Sequence, residues 1–504
     1  MTRVAPARGA VAAGHALTAQ AAGDVLRAGG NAFDAAIAGL WMACVAEPVL
    51  ASPGGGGFLM AREAASGETV LHDFFVRTPL ARRGDGAADF HEIHADFGPA
   101  SQAFHIGRAA SATPGFVPGL FAVHAAHATR PMAELAAPAA CRAREGVEVT
   151  AFQAYLAAVV GPILTASEGA RALFAPDGRL PRAGDIMRNP TLADMLDEIG
   201  REGLKAYRAK GFAARLLDGQ GDHGHLRAED LADYRVERRA PLKVPLGPAR
   251  IALNPPPSAG GAFIAHALSA YAHAPGRSAE RFAAALARSD EARRTAGGDP
   301  AALLADAGLA LPAGGAAKGP PATRGTTHIS VIDAAGNAVA ATVSNGEGNG
   351  HVPGGLGFML NNMLGEADLA PDGLGTWPPG LRPASMMCPA IAEKDGALFA
   401  LGSGGSSRIR SALFVVLARL LAKDYAPDAA VRAPRLHVED GHLDFEDFFK
   451  PGGGGALAER FPARRAWGEP NMFFGGAHVV KRHGDGRFEA MGDPRRDGVA
   501  LVVD

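Results

Sequence analysis

One position in this 504-residue chain joins a strip that cannot fold on its own to a β-rich run that opens with threonine. Leu311 to Gly325 reads LPAGGAAKGPPATRG, which is dominated by Pro, Gly and Ala, supplies no buried stripe, and is expected to be an accessible loop. The next residues, TTHISVID from Thr326, alternate as a strand does. A threonine hydroxyl is a poor nucleophile until a base takes its proton, and an amino-terminal threonine carries that base as its own α-amine. An α-amine with a pKa of about 7.7 to 8.0 works near neutral pH. An internal threonine has no such amine, so this chemistry requires a break between Gly325 and Thr326. The direct route is attack of the Thr326 hydroxyl on the Gly325 carbonyl, which no Gly325 side chain obstructs. Residue types alone leave a second reading open, because a threonine that begins a strand is commonly only a β-former.

Other candidate sites carry less. SPGGGGFLM, Ser52 to Met60, has the glycines of a phosphate cradle but neither the Lys-Ser/Thr of a P-loop nor a spaced GxGxxG. It reads instead as backbone passing close to something. Cys44, Cys141 and Cys388 are too widely spaced for a zinc site or a disulfide framework and read as small buried residues. His91 and His94 form a close pair with no further ligands nearby in sequence and are expected on a surface loop. No metal and no cofactor are expected.

The elements that must position Thr326 can be read around it. Thr326 to Ser344 reads as a β-hairpin turning at Gly336 and Asn337. Thr18 to Val49 reads as two packed helices separated by AGGNAFD, the second capped near Asn31. Leu192 to Gly211 carries apolar residues at helical spacing beneath charged ones and is expected to be a solvated amphipathic helix. With 47% hydrophobic and 20% charged residues the chain can bury a large core. Its net charge of −2 gives no field for nucleic acid or an anionic membrane, so neither is expected as a partner. Met1 to Gln20 has no sustained apolar run, so the sequence as written suggests a cytoplasmic protein, with a periplasmic location open if the true start lies upstream.

Several separated motifs, in order, resemble the gamma-glutamyltransferases (gamma-glutamyltranspeptidases, glutathione hydrolases). They are AGDVLRAGGNAFDAAIA from Ala22, GGGGFLM from Gly54, TPGFVPGL from Thr113, AEDLADYRVERRAPL from Ala228 and NPPPSAGG from Asn254. TTHISVIDAAGNAVAATVSN from Thr326, GFMLNNMLGE from Gly357, RPASMMCPAI from Arg382 and LGSGGSSRI from Leu401 complete the series. The resemblance implies an α+β, four-layer αββα N-terminal-nucleophile hydrolase fold. It also implies a precursor that cuts itself into residues 1–325 and 326–504, the two fragments remaining one interlocked heterodimeric fold. The implied partners are a small γ-glutamyl or related amide as substrate and an amine or water as acceptor.

By the same resemblance, Thr326 matches the nucleophile and Ser344 a supporting threonine, with the hydroxyl retained. Gly405 and Ser406 match the Gly-Gly turn whose N–H groups form an oxyanion hole, with serine in place of the second glycine. Asn345, Glu366 and Ser385 match substrate-binding positions. Departures cluster there: Phe75 stands where the family has a carboxylate-binding arginine, Met363 where it has Gln or Glu, and Met386 where it has a second serine. Arg77, two residues on, would share Phe75's face in a strand and is the candidate surrogate cation. His328 and Arg408 are expected to be structural, Arg408 by bonding a carboxylate or carbonyl near the oxyanion turn. The apolar substitutions raise an alternative substrate, a glutaryl-type or other small amide. A relative that never cuts itself and acts as a binding protein is the other alternative.

Overall fold

The computed structural model describes residues 7–82, 88–96, 101–274, 278–312, 325–366, 374–446 and 455–504. Residues 313–324, most of the strip before Thr326, lie outside them. Two antiparallel sheets form the centre. The first has seven strands in the order Val499–Val503, Gly9–Ala13, Thr326–Asp333, Ala338–Ser344, Gly56–Arg62, Thr69–Phe74 and Glu237–Arg239. The second has six, in the order Phe488–Met491, Gly476–Arg482, Ala397–Gly404, Ala390–Lys394, Ala249–Leu253 and Leu242–Leu246.

Side chains alternate across each strand, which assigns the layers. Ile329 and Val331 join a core with Leu26, Ile37, Leu40, Leu135 and Leu196 of the helices Ala16–Arg27, Ala32–Ala46, Met132–Glu145 and Pro190–Glu202. Ile332, from the other face, joins Leu401, Val479 and Phe414 in a core shared with the second sheet. Helices Ala259–His273, Ser278–Thr295 and Ile409–Ala422 cover that sheet's far side. The layering is therefore helix, sheet, sheet, helix, as the family resemblance implied. Helix Ala32–Ala46 is apolar all round because it is buried between the first sheet and an outer helix. Asn31 caps it, accepting from the Phe33 and Asp34 amides at 2.9 Å, an arrangement worth about 1 kcal/mol.

The hairpin forms as expected. Thr326 pairs with Ser344 at its open end, and Gly336 takes a φ of +92° in the turn. The glycine run has a structural reason: a Cβ on Gly55 would lie 2.3 Å from the Ser344 carbonyl oxygen, so only glycine lets this turn pass the end of the hairpin.

Three local expectations need correction. The amphipathic helix stops at Glu202, because Gly203 takes a φ of +75°, and two short helices continue the segment. Cys141 is exposed, on the solvent side of helix Met132–Glu145, whereas Cys44 and Cys388 are buried. His91 and His94 lie in strand His91–Asp96, paired with Ser101–Ile106, rather than on a loop, and both are exposed.

Candidate active site

Strand Thr326–Asp333 is buried from end to end and sends successive side chains to opposite layers. His328 and Ser330 face the second sheet. The His328 imidazole bonds the Thr342 and Ser330 hydroxyls at 2.7 and 2.9 Å, and burial holds its pKa well below the usual histidine range. It is a neutral packed residue, as its place in the sequence suggested. Thr326 belongs to this same inter-sheet face. Thr327 points the other way, where its hydroxyl donates to Glu47 Oε2 at 2.6 Å, and Thr18 donates to Oε1 at 2.8 Å. Burial outweighs these two hydrogen bonds and raises the Glu47 pKa to about 7.

At the Gly325–Thr326 bond, two side chains grip the glycine. The Ser344 hydroxyl donates to the Gly325 carbonyl oxygen at 2.7 Å and accepts from the Gly346 amide at 3.0 Å. The Gly325 amide donates to Glu347 Oε1 at 3.1 Å. A Cβ on Gly325 would stand 1.7 Å from the Gly346 carbonyl oxygen, so no other residue fits this conformation. The hairpin register that sets Thr326 opposite Ser344 thus brings the Ser344 hydroxyl to the peptide bond between Gly325 and Thr326.

The glycine–serine turn follows strand Ala397–Gly404, which packs against strand Thr326–Asp333. A Cβ on Gly404 would lie 2.2 Å from the Thr326 carbonyl oxygen, so the turn begins beside the threonine. Gly405 has a φ of +126° and Ser406 of +62°. The serine adopts the left-handed conformation at a cost of roughly 1 kcal/mol that a glycine would avoid. Arg408 donates from Nε to the Phe473 carbonyl at 3.2 Å and stacks over the Phe473 ring at 4.6 Å.

Asn345 is buried, with its Nδ2 donating to the Met359 carbonyl at 3.3 Å and its Oδ1 without a partner among the described residues. Glu366 is buried, and its Oε1 would lie 3.0 Å from a Cβ on Gly346. Ser385 is also buried, and its hydroxyl accepts from the Met387 amide at 3.1 Å. Phe75 is fully buried, stacked on Phe58 with ring centroids 5.3 Å apart, in the core cluster that also holds Met363 and Met386.

Arg77 does not join this group. Its Nη1 reaches Asp233 Oδ2 at 2.8 Å and its Nη2 the Asp230 carbonyl at 3.3 Å. The expected shared face with Phe75 fails because the strand ends at Phe74, so period-two alternation no longer governs residue 77.

Sequence reading overlooked three residues here. Glu347 lies within SNGEGNG, yet nothing in its type marks it as a partner of Gly325. Asn362, the second asparagine of NNMLGE, accepts from the Glu347 amide at 3.0 Å through Oδ1, while its fully buried Nδ2 has no partner among the described residues. Glu47 lies 280 positions from Thr327 in sequence. A cleft of about 860 Å³ lies elsewhere, between strand edges at Arg238, Lys243, Arg250 and Glu393, and is lined by none of these site residues.

The chain is similar to known proteins in sequence and in fold. The family model for gamma-glutamyltranspeptidase matches residues 18–314 and 308–503. An acylase ACY 1 proenzyme from Pseudomonas sp. (strain V22) is 30% identical, over 98% of this chain and 94% of its own length. A glutathione hydrolase proenzyme from Escherichia coli (strain K12) is 29% identical, over 88% of this chain and 83% of its own. In fold, the chain is similar to a cephalosporin acylase from Bacillus halodurans, with a TM-score of 0.82 at 23% identity, covering 99% of this chain and 96% of the other. The chain belongs to the gamma-glutamyltranspeptidase family, whose members are enzymes of the hydrolase and transpeptidase type.

Proposed function

We propose that this protein is a self-processing amidohydrolase whose mature nucleophile is Thr326. The Ser344 hydroxyl, 2.7 Å from the Gly325 carbonyl oxygen, carries this reading, because it polarises the bond that must break to free the threonine amine. In the first step the Thr326 Oγ bonds to the Gly325 carbonyl carbon. The Gly325–Thr326 C–N bond breaks, and the Oγ proton passes to the departing α-amine. Water then adds to the resulting ester, Oγ leaves with a proton, and Gly325 ends as a carboxylate. The released α-amine serves as base for a second acyl transfer, in which Oγ attacks a substrate amide carbonyl. The amide nitrogen leaves as an amine carrying the Oγ proton, and water or another amine takes the acyl group from Oγ. Backbone N–H groups of Gly405 and Ser406 receive the tetrahedral oxygen, and such a donor contributes about 2.7 to 4 kcal/mol.

Asn345, Glu366 and Ser385 are proposed to line the acyl pocket. Its Phe75 end is apolar, and the Arg77 guanidinium is committed to Asp233. That favours an acylase-type amide over glutathione, because a γ-glutamyl head must desolvate an α-ammonium as well as the carboxylate that a glutaryl group also carries. The test compares kcat/KM for a γ-glutamyl anilide and a glutaryl anilide in wild type and in Phe75→Arg. Wild type should prefer the glutaryl amide, and Phe75→Arg, whose cation either carboxylate can use, should raise kcat/KM for both. A strong γ-glutamyl preference in wild type, lost in Arg77→Ala, would reverse the assignment of the pocket.

A further inference from the structure

Beside the proposed oxyanion turn lies a half-buried cation that none of the roles above uses. Strand Val499–Val503 follows a tight turn at Pro494–Arg496, which carries Arg496 to the end of strand Ala397–Gly404. A Cβ on Gly404 would stand 3.4 Å from Arg496 Nη1 and only 2.2 Å from the Thr326 carbonyl oxygen, and one on Gly405 would stand 3.5 Å from Nη2. The guanidinium is therefore next to both the proposed nucleophile and the proposed oxyanion turn.

Its counter-charge is incomplete. Nε and Nη2 donate to the Met472 carbonyl at 3.4 and 3.3 Å, and no carboxylate among the described residues lies within ion-pair distance of Arg496. The nearest acid, Asp493, is already engaged by Arg435, by Arg495 at 3.3 Å and by the Ala477 amide at 2.9 Å. Arg408 and Arg435 add positive charge nearby. Together with burial they lower the Arg496 pKa to about 10, so it stays charged at neutral pH. A partly desolvated cation with only a neutral carbonyl as partner gains from an anion that enters the site.

We propose that Arg496 is a specificity-determining residue that binds a carboxylate of the substrate. It would give the site a cation from the C-terminal turn, where Phe75 supplies none. The chemical class is a carboxylated amide, with the carboxylate on either the acyl or the amine portion. This rests on Thr326 being the nucleophile, as proposed above. It goes beyond that reading in tying selectivity to the C-terminal turn.

Three chromogenic amides separate the possibilities: glutaryl p-nitroanilide with an acyl carboxylate, pentanoyl p-nitroanilide with none, and pentanoyl 3-carboxy-4-nitroanilide with a leaving-group carboxylate. Arg496→Gln should raise KM on the order of 10- to 100-fold for one carboxylated amide, the range for losing a hydrogen bond to a charged group. It should leave the neutral amide within about twofold, and Arg496→Lys should recover part of the loss. Whichever carboxylated amide responds identifies the side that Arg496 binds. An equal loss on all three amides would mean that Arg496 only anchors Met472, and no loss on any would mean that it faces no substrate charge. Either result overturns the proposal. Glutarate binding, measured by calorimetry, gives a readout independent of turnover: wild type should bind and Arg496→Gln should not. If wild type binds glutarate through Arg496 but hydrolyses none of the amides, the amidohydrolase reading fails and the carboxylate site stands.

Discussion

Thr326 and Thr327 are the same residue type, adjacent in one strand, and both are buried, yet their hydroxyls face different chemistry. Thr327 donates to a carboxyl that sits near its titration point, which on paper looks like a nucleophile with its base. The packing forbids that role. A Cβ on Gly14 would lie 2.7 Å from both Glu47 Oε2 and the Thr327 hydroxyl, so the helix-facing side has no space for a substrate. Thr326, on the inter-sheet side, has instead a peptide carbonyl gripped by Ser344, a glycine turn and a cation. The strand's alternation makes one threonine a candidate reagent and its neighbour a fastener. Catalytic promise therefore lies in the layer a hydroxyl faces, not in the nearest acid.

The larger of two perturbations that probe this contrast is on the Thr326 side. Ser344→Ala removes the donor to the Gly325 carbonyl and should slow self-cleavage by roughly 10- to 100-fold, the effect of losing one hydrogen bond of about 1.5 to 3 kcal/mol in the transition state. A time course of precursor conversion on a denaturing gel reads it, with Ser344→Thr retaining wild-type speed. Unchanged conversion in Ser344→Ala would remove Ser344 from the mechanism.

On the Thr327 side the expected effect is on stability rather than rate. Glu47 titrates near 4.5 when unfolded and at about 7 in the fold, so the folded state binds the extra proton between those values. Its contribution is fully present below about pH 4.5 and is lost as pH rises through 7. A shift of this size corresponds to at most about 3 kcal/mol. Glu47→Gln, which cannot ionise, should therefore gain stability relative to wild type between pH 5 and pH 8, measured by denaturant midpoints at each pH. A parallel pH dependence in the two proteins would show that Glu47 is not held protonated.

The same contrast explains what sequence could reveal. The strip ending at Gly325, the strand beginning at Thr326 and the hairpin that returns to Ser344 are local patterns, so the junction was legible, whereas the role of the Ser344 hydroxyl came from the resemblance. The αββα layering came from resemblance, since alternation alone gives faces but not their partners. Glu47, Glu347 and Arg496 escaped because each meets the site through tertiary packing: Glu47 from a helix end, Glu347 from a loop whose conformation depends on Asn362, and Arg496 from the C-terminal turn. Arg77 was misplaced for a local reason, a strand that ends at Phe74.

The most direct test of the central claim is the amino-terminal sequence of the smaller fragment of purified protein, with Thr326→Ala alongside. The account predicts a wild-type fragment beginning Thr-Thr-His-Ile-Ser, with its first residue Thr326, and an uncut Thr326→Ala chain of 51.6 kDa. A fragment beginning Thr-His-Ile-Ser would move the reaction to Thr327 and its Glu47 partner. A fully active wild-type protein that remains a single chain would contradict the account altogether.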